Sequence, residues 1–168
     1  MHADSWALKA KKLGFRSRAV FKLEEILIKT KTLQKKSLVL DIGSAPGGWS
    51  ELIKAMTPAS NVYAIDLLPM DPIKDVTFFQ EDILNIDKID EIFMLKSKFD
   101  LVISDLAPNL SGIRAVDEEN IYKLNITTLK TALSYLNKSN GSLVIKTFQN
   151  SSLKKLRIEM EALFHFNS

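Results

Sequence analysis

The sequence predicts an α/β fold with a mostly parallel sheet, and its hydrophobic pattern, length and composition support that prediction. Short apolar runs rich in β-branched residues alternate with stretches of helical period, as they do where a crossover helix follows each strand. A length of 168 residues suits one domain with a sizeable core. Low-complexity tracts, repeats and Pro- or Gly-rich linkers are absent from the sequence. We therefore expect a single domain over residues 1–168, with a basic helical segment over 1–35 and an α/β core over 36–168.

Five apolar runs predict the strands of this sheet. Right-handed crossovers between successive parallel strands would place helices on both of its faces. The ligand crevice of such a doubly wound sheet lies at the carboxyl ends of the strands, so polar residues that follow strands are candidates for function. The predicted strands are Leu38–Ile42, Val62–Ile65, Val76–Phe79, Leu101–Ile103 and Ser142–Thr147.

Apolar residues at spacings of three and four predict the helices, because this spacing forms one face of a helix. The helix that begins near Trp49 is expected to stop at Pro58, and Ser151 or Ser152 is suited to cap the last helix. A weaker pattern predicts a helix over 87–96. The other stripes are Val20, Leu23 and Leu27; Trp49, Leu52, Ile53 and Met56; Tyr122, Ile126, Leu129, Leu133 and Leu136; and Leu153, Leu156, Met160 and Leu163.

Composition excludes several classes of protein. The sequence has no cysteine, so it forms neither disulfides nor thiolate metal sites. Its two histidines, His2 and His165, make a histidine metal site improbable, and we expect no metal. The N-terminus lacks the pattern of a signal peptide, and no apolar run reaches the length of a membrane span. These features predict a soluble, cytoplasmic protein.

Positive charge is concentrated near the N-terminus, although the net charge is only +3. The segment from Lys9 to Lys22 contains six cations and no acidic residue. Such a segment can lie along a phosphate backbone, or it can be a solvated basic surface, and the charges alone leave both interpretations open. The six cations are Lys9, Lys11, Lys12, Arg16, Arg18 and Lys22.

A glycine-rich loop, Gly43–Trp49, joins the first predicted strand to the next helix. Glycines in such a loop let the backbone approach a ligand, and the amides that open the helix can bind an anion. The loop fits neither the dinucleotide fingerprint nor the P-loop, which disfavours NAD and ATP. A tight structural turn is the alternative interpretation.

Two aspartates at strand ends favour a ligand. Asp66 ends the second strand, where an acidic side chain in such folds accepts hydrogen bonds from ribose hydroxyls. Asp82 follows the third strand and is placed to accept from an adenine amino group, although either aspartate alone is commonly a cap or a turn residue. A glycine loop with both aspartates points to a nucleoside.

Five segments, in order along nearly the whole chain, resemble the successive motifs of the FtsJ/RrmJ RNA 2′-O-methyltransferases. Within that family, residues 66–72 and 107–112 are most similar to bacterial members that methylate a uridine ribose of large-subunit ribosomal RNA. The five segments are Arg16–Leu23, Gly43–Trp49, Asp66–Pro72, Ser104–Gly112 and Val144–Gln149.

The resemblance implies a Rossmann-like methyltransferase fold that takes S-adenosylmethionine as methyl donor and RNA as substrate. It implies that the donor is bound by Gly43, Gly47, Gly48, Trp49, Asp66, Asp82 and Asp105, and that Lys22, Asp105 and Lys146 are catalytic. A glutamate that completes the family's catalytic set lies on a later strand. Neither that glutamate nor the last two strands of the family's sheet has a counterpart in this sequence.

Methyl transfer to a ribose hydroxyl requires residues of these types, whether or not the family is considered. A ribose 2′-hydroxyl is a poor nucleophile, so methyl transfer needs in-line positioning and removal of the hydroxyl proton. We assign Lys146 as the base, Asp105 as its orienter beside the methyl donor, and Lys22 as an electrostatic and substrate-positioning residue. Asp105 and Lys146 are charges at the ends of apolar strands, which favours a role in the crevice, whereas Lys22 alone would be interpreted as a solvated helical lysine.

The sequence allows two interpretations for several further residues. Phe15, Phe21 and Trp49 can stack on bases, although core packing suits Phe21 and packing around the loop suits Trp49. Pro108 and Asn109 either form a turn or border the substrate.

The substrate can instead be tRNA or an mRNA cap, and a catalytically incomplete RNA-binding domain is the alternative from another class. We expect a monomer, or self-association through residues 143–145 of the fifth strand, which would form an exposed apolar edge without the missing strands.

Overall fold

A computed structural model describes residues 3–164 and contains a five-stranded, all-parallel sheet in the order β3-β2-β1-β4-β5. This confirms the predicted α/β fold. The central strand β1 pairs with β2 on one side and with β4 on the other, and the chain crosses the sheet between β3 and β4. The strands are β1 Leu38–Ile42, β2 Asn61–Asp66, β3 Val76–Gln80, β4 Leu101–Ser104 and β5 Ser142–Ile145.

The fifth strand ends two residues earlier than the sequence predicts. The N–H of Lys146 donates to the carbonyl of Ser104 at 2.8 Å, and beyond this bond the chain leaves the sheet. Lys146 and Thr147 instead bond through their side chains, to Asp105 and to Asn125. The apolar pattern could not reveal this end, because it depends on partners that are distant in the sequence.

Helices cover both faces of the sheet. The helix predicted over 87–96 is wrong in form, since a 3₁₀ helix over Ile83–Lys88 and the single turn of α4 occupy this region. The side chain of Asp82 caps the 3₁₀ helix, and Ile86 and Ile92 are buried beneath the two pieces. The helices are α1 Ala3–Lys12, α2 Val20–Thr30, α3 Gly48–Met56, α4 Asp90–Phe93, α5 Arg114–Tyr135 and α6 Leu153–Leu163.

Neighbouring residues of β1 serve the two halves of the core, because successive side chains of a strand point to opposite faces. Val39 packs with α2 and α3, whereas Leu40 and Ile42 pack beneath α4 and α5. Burial on both faces explains why the strand is a nearly continuous apolar run in the sequence.

The buried face of α5 differs from the predicted stripe. Leu129 is fully buried, but Tyr122, Ile126 and Leu133 are only partly covered. The face that meets the core includes three residues with polar groups: Asn125, Thr128 and Tyr135. Each finds a hydrogen-bond partner, on Thr147, the Leu124 carbonyl and Asp87 respectively. Apolar periodicity therefore misplaced the face by one residue.

The last helix begins without the predicted serine cap. Ser152 occupies the N-cap position, but its side chain makes no capping bond. Ser151 donates its hydroxyl to Glu118 of α5 instead. None of the helices between residues 3 and 164 has the length and apolarity to cross a membrane. His2 and His165 lie outside the described residues.

Candidate active site

The loop that follows β1 is shaped by two glycines with positive φ. Gly43 has a φ of 76°, and its N–H donates to the Ile65 carbonyl of β2 at 2.8 Å. Gly47 has a φ of 107° and forms the N-cap of α3. A Cβ on Gly43 would lie 2.4 Å from Leu106 side-chain atoms, and one on Gly47 would lie 2.7 Å from Ile73 Cδ1. Glycine is therefore required at both positions for space as well as for conformation.

Asp66 fastens this loop to the end of β2. Its Oδ2 accepts from the N–H of Ala45 and its Oδ1 accepts from the N–H of Leu68, each at 2.8 Å. Asp66 is half-buried, and each of its carboxylate oxygens has a lone pair left for a further donor. The sequence placed Asp66 correctly at the strand end, beside the glycine loop.

Asp82 has the capping contact that its sequence position allows. Its Oδ1 accepts from the N–H of Leu84 at 2.9 Å and so begins the 3₁₀ helix. The same residue lines a cavity of about 620 Å³ at the carboxyl ends of the strands. That cavity also includes Gly43, Asp66 and Asp105, so the structure brings four of the predicted cofactor residues around one space. Gly48 and Trp49 border a smaller cavity, described next, together with Gly43 and Asp105.

A second cavity, of about 20 Å³, lies under the glycine loop and is lined in part by Asp41. The sequence pattern had not singled out this residue. Asp41 is fully buried, and its Oδ2 accepts from the Ser50 hydroxyl at 2.6 Å. Three residues that line this cavity each have a buried polar atom without a hydrogen-bond partner: Asp41 Oδ1, Ser44 Oγ and Trp49 Nε1. An acid in the middle of an apolar strand was the signal that could have identified Asp41.

Burial raises the pKa of Asp41 to about 7. The Ser50 hydrogen bond opposes this rise, whereas the nearby carboxylates of Asp105 and Asp66 add to it. The second cavity is therefore lined by a carboxyl group that exchanges its proton near neutral pH.

Lys146 and Asp105 form an ion pair at the ends of β5 and β4. Lys146 Nζ lies 2.6 Å from Asp105 Oδ1, and the side chains are 57% and 24% exposed respectively. Asp105 lines both cavities, so the pair lies at their common border. The sequence prediction that these two charges meet at the strand ends agrees with this geometry.

Lys22 is held elsewhere. Its Nζ bonds to Glu25 Oε2 at 2.9 Å on the exposed side of α2, and this bond lowers the pKa of Glu25. No contact between Lys22 and the Lys146–Asp105 pair occurs in the described structure. The start of α2 does approach the loop, since Val20 and Ser17 pack against Gly48.

Arg16 is directed inward, although the sequence grouped it with cations available to phosphate. Its guanidinium donates to the carbonyls of Pro46, Asp71 and Pro72 at 2.7–3.1 Å. It also pairs with Glu51 of α3 at 3.3 Å. Arg16 therefore ties the N-terminal segment to the glycine loop, to α3 and to the loop after β2.

The aromatic residues contribute mainly to packing. Trp49 is only 5% exposed and belongs to the core on the α2–α3 face. Phe15 and Phe21 pack edge to face at 6.3 Å against the same cluster, and Lys9 lies 4.8 Å from the centre of the Phe21 ring.

The loop after β4 is anchored at its far end by Asp117, which accepts from Ser111 and Gly112. These bonds lower the pKa of Asp117. Pro108 and Asn109, in the middle of the loop, line the larger cavity. Across the described residues, no cluster of three or more His, Asp or Glu side chains is arranged to hold a metal ion.

Comparison with known proteins identifies close relatives. The sequence profile of the FtsJ-like methyltransferases matches residues 15–167. Ribosomal RNA large subunit methyltransferase E of Hahella chejuensis is 40% identical over 166 residues, which cover 97% of this chain and 80% of the relative. The enzyme of the same name from Buchnera aphidicola is 39% identical over 161 residues, covering 92% and 77% respectively.

Solved structures agree with this relationship. A Plasmodium falciparum protein described as a ribosomal RNA methyltransferase superposes with a TM-score of 0.79 at 29% identity, covering 88% of this chain and 86% of that one. The MycE methyltransferase of mycinamycin biosynthesis, bound to Mg and SAH, superposes with a TM-score of 0.55 at 20% identity and supports the fold alone. With the profile match over nearly the whole length, these findings establish that the chain belongs to the FtsJ-like methyltransferase family.

Proposed function

We propose that this protein transfers a methyl group from S-adenosylmethionine to a ribose 2′-hydroxyl of RNA, and that the target is a uridine of large-subunit ribosomal RNA. The observation that carries the proposal is the Lys146–Asp105 ion pair at 2.6 Å, on the border of a nucleoside-sized cavity. The relatives named for methylation of the large ribosomal subunit support the substrate. Such a substrate would place the protein in the cytoplasm.

The residues around the larger cavity fit the nucleoside part of the methyl donor. The larger cavity has apolar walls from Ile42, Ile65 and Ile83 for an adenine ring, with Asp66 and Asp82 as acceptors for its hydroxyl and amino groups. The smaller cavity, of about 20 Å³, is bordered by Asp41, Ser44 and Trp49, and its size suits one water molecule rather than the amino-acid end of the donor. When bound, S-adenosylmethionine supplies an electrophilic methyl group on a positively charged sulfur.

The protein's own residues provide positioning and proton removal. Lys146 accepts the proton of the 2′-hydroxyl once its amine is neutral, and Asp105 holds that amine at the border of the cavities. A base of this kind typically contributes about 10²- to 10⁴-fold to the rate. Lys22, placed on α2 beside the loop, would contact the RNA after exchanging its Glu25 partner.

Exposed cations near the N-terminus suit an RNA partner. Lys11 and Lys12 are exposed at the end of α1. They lie on the same segment as Arg16, which contacts the glycine loop. Phosphates bound by this segment would therefore lie close to the cofactor loop, and a salt-dependent affinity is expected.

The direct test compares methyl transfer by the wild type, by Lys146→Ala and by Lys130→Ala, an exposed lysine of α5 that serves as the matched control. Tritiated S-adenosylmethionine and ribosomal RNA are the substrates, and calorimetry measures donor affinity. We expect Lys146→Ala to lose at least about 10²-fold in rate, with donor affinity and melting temperature close to those of Lys130→Ala. Mass spectrometry of digested RNA should locate the methyl group on a uridine ribose.

Other outcomes would redirect the proposal. Full activity of Lys146→Ala would remove this lysine from catalysis. Transfer to tRNA or capped mRNA in preference to ribosomal RNA would change the substrate. Donor binding without transfer to any RNA would favour a catalytically incomplete RNA-binding domain.

Self-association is a separate proposal. β5 forms one edge of the sheet within residues 3–164, and its residues are only partly buried. An edge strand with free backbone groups can pair with a second copy. Analytical ultracentrifugation over a range of concentrations would distinguish a monomer from such a dimer.

A further inference from the structure

A buried asparagine on α5 bonds to the residue next to Lys146. Asn125 is 5% exposed, and its Nδ2 donates to the Thr147 hydroxyl at 2.6 Å. The two residues are 22 positions apart in the sequence, and neither belongs to the residues assigned to cofactor or catalysis. This bond joins a core-facing helix to the loop that carries the proposed base.

The backbone around Lys146 has few other anchors. On the N-terminal side, the Lys146 N–H donates to the Ser104 carbonyl in the last β4–β5 bond of the sheet. On the C-terminal side the chain leaves the sheet, and the Thr147 hydroxyl is the next group held, by Asn125. Within the described sheet β5 is an edge strand and has β4 as its single neighbour. The path of the chain through Lys146 therefore depends on the Asn125–Thr147 bond.

Thr128, on the same face of α5, shows that burial alone does not require such a bond. It is 1% exposed, and its hydroxyl donates to the Leu124 carbonyl within its own helix. Asn125 differs, because its Nδ2 donates to Thr147 of the loop rather than to a carbonyl of its own helix. A buried amide without this partner would be left unsatisfied, so the bond is strongly favoured once the helix is packed.

We propose that Asn125 and Thr147 are a positioning pair, which fixes the start of the loop after β5 so that Lys146 Nζ meets Asp105 on the border of the cavities. This rests on the proposed function, in which Lys146 accepts the proton of the ribose hydroxyl. The pair touches neither the substrate nor the donor. It acts through the backbone of Lys146, and a displacement of about 1 Å at a catalytic group can reduce the rate by roughly 10²-fold.

The experiment uses isosteric variants of the full chain. Thr147→Val removes the hydroxyl, Asn125→Leu removes the amide, and a third variant combines them, while Thr128→Val is the matched control for removing a buried hydroxyl from α5. We expect the first two to lower kcat by at least about tenfold, with the donor Kd within about twofold of the wild type. The combined variant should be no slower than the slower single variant, because both remove the same bond. Thr147→Ser, which keeps the hydroxyl, should restore kcat to within about twofold.

Three results would contradict the proposal that Asn125 and Thr147 position Lys146. They are a kcat of Thr147→Val equal to that of Thr128→Val, multiplicative decreases in the combined variant, or a kcat of Thr147→Ser as low as that of Thr147→Val. If Asn125→Leu fails to fold, the Thr147 variants alone decide.

A second measurement separates this proposal from the proposed function. NMR of isotope-labelled lysine side chains reports the surroundings of Lys146 without catalysis. In Thr147→Val its signal should move towards those of exposed lysines, and in Thr128→Val it should stay at the wild-type position. An unmoved Lys146 signal in Thr147→Val would overturn the pair. If the wild type methylates no RNA, the proposed function fails and this comparison decides the positioning pair by itself.

Discussion

The glycine loop Gly43–Trp49 and the Lys146–Asp105 pair lie side by side but are built differently. Ser44 and Trp49 of the loop are each 5% exposed, and backbone amides of the loop are fixed by Asp66 and by the Ile65 carbonyl. Lys146, in contrast, has a side chain that is 57% exposed and lies at the end of an edge strand. The region proposed to bind the donor is therefore fixed by buried contacts within the protein and is rigid, whereas the proposed base is open to solvent, where a large RNA substrate can reach it.

The contact between Gly43 and Leu106 offers the strongest test of this division, because it joins the two regions. A Cβ on Gly43 would lie 2.4 Å from Leu106 Cγ and 3.2 Å from its Cα, next to Asp105. We expect Gly43→Ala to lower the free energy of unfolding by about 3 kcal/mol, from overpacking and a positive φ together. Donor affinity and methyl transfer should both fall, as measured by chemical denaturation, calorimetry and the transfer assay.

Gly112→Ala is the control for backbone strain. Gly112 also has a positive φ, of 83°, but no atom lies within 4 Å of a Cβ built there. We expect the free energy of unfolding to fall by about 1 kcal/mol and donor affinity to be unchanged. Equal effects of the two substitutions would show that Leu106 yields freely, and that the two regions are less coupled than their contact indicates.

The sequence predicted the rigid region better than the open one. Parallel strands that are buried on both faces are apolar runs in the sequence. The predicted C-terminal ends of four of the five strands therefore lie within one residue of the observed ends. The glycine loop and Asp66 have local signatures, and Gly43, Ala45 and Asp66 line the larger cavity. Asp41 was visible as an acid within an apolar strand, but it was passed over.

What the sequence could not predict depends on partners distant along the chain. Arg16 looked like one more basic surface residue, because its acceptors are carbonyls of Pro46, Asp71 and Pro72, which carry no sequence signal. Asn125 carried no signal in the sequence for the same reason, since its partner is Thr147, 22 positions away. The roles assigned to Lys22, Asp105 and Lys146 stay predictions that the experiments above will test.

Asp41, beneath the glycine loop, makes the stability of the protein depend on pH. The folded-state pKa is about 7, above the ordinary value of about 3.9. Between about pH 4 and pH 7 the folded protein therefore holds a proton that the unfolded chain releases. The contribution of this group to stability thus falls as the pH rises through that window, and the decrease is complete above pH 7.

Asp41→Asn should remove this dependence. The amide oxygen can still accept from Ser50, and no charge is buried at high pH. Relative to the wild type, we expect the variant to be more stable at pH 8, by a few kcal/mol at most, with the difference shrinking towards pH 5. Denaturation at several pH values measures this, and Glu91→Gln, an exposed neutral substitution, is the control. A difference independent of pH would contradict the assigned ionisation.

Arg16 and the two exposed lysines of α1, Lys11 and Lys12, are neighbouring cations for which we expect different roles and smaller effects. Arg16→Lys keeps the charge but removes the fork that reaches three carbonyls. We expect donor affinity to fall by about tenfold, since one or two hydrogen bonds that shape the loop are broken. The salt dependence of RNA binding should be unchanged. A reduced salt dependence with normal donor affinity would instead make Arg16 a phosphate ligand.

Substitution of Lys11 and Lys12 by glutamine should do the reverse. Both side chains are exposed on α1, whereas the carbonyls of the loops are bonded by Arg16. For each lysine that binds a phosphate, its replacement should make the slope of log K against log salt shallower by about 0.7 to 0.9, with donor affinity unchanged. Binding assays at several salt concentrations measure the slope. The glutamine substitutions remove positive charge, so a variant that keeps the charge serves as the control. Lys12→Arg keeps the charge and should leave the slope at its wild-type value. Lys11→Met removes the charge and should make the slope shallower. A shallower slope for Lys12→Arg would contradict a role based on charge and would place the effect in the packing of α1.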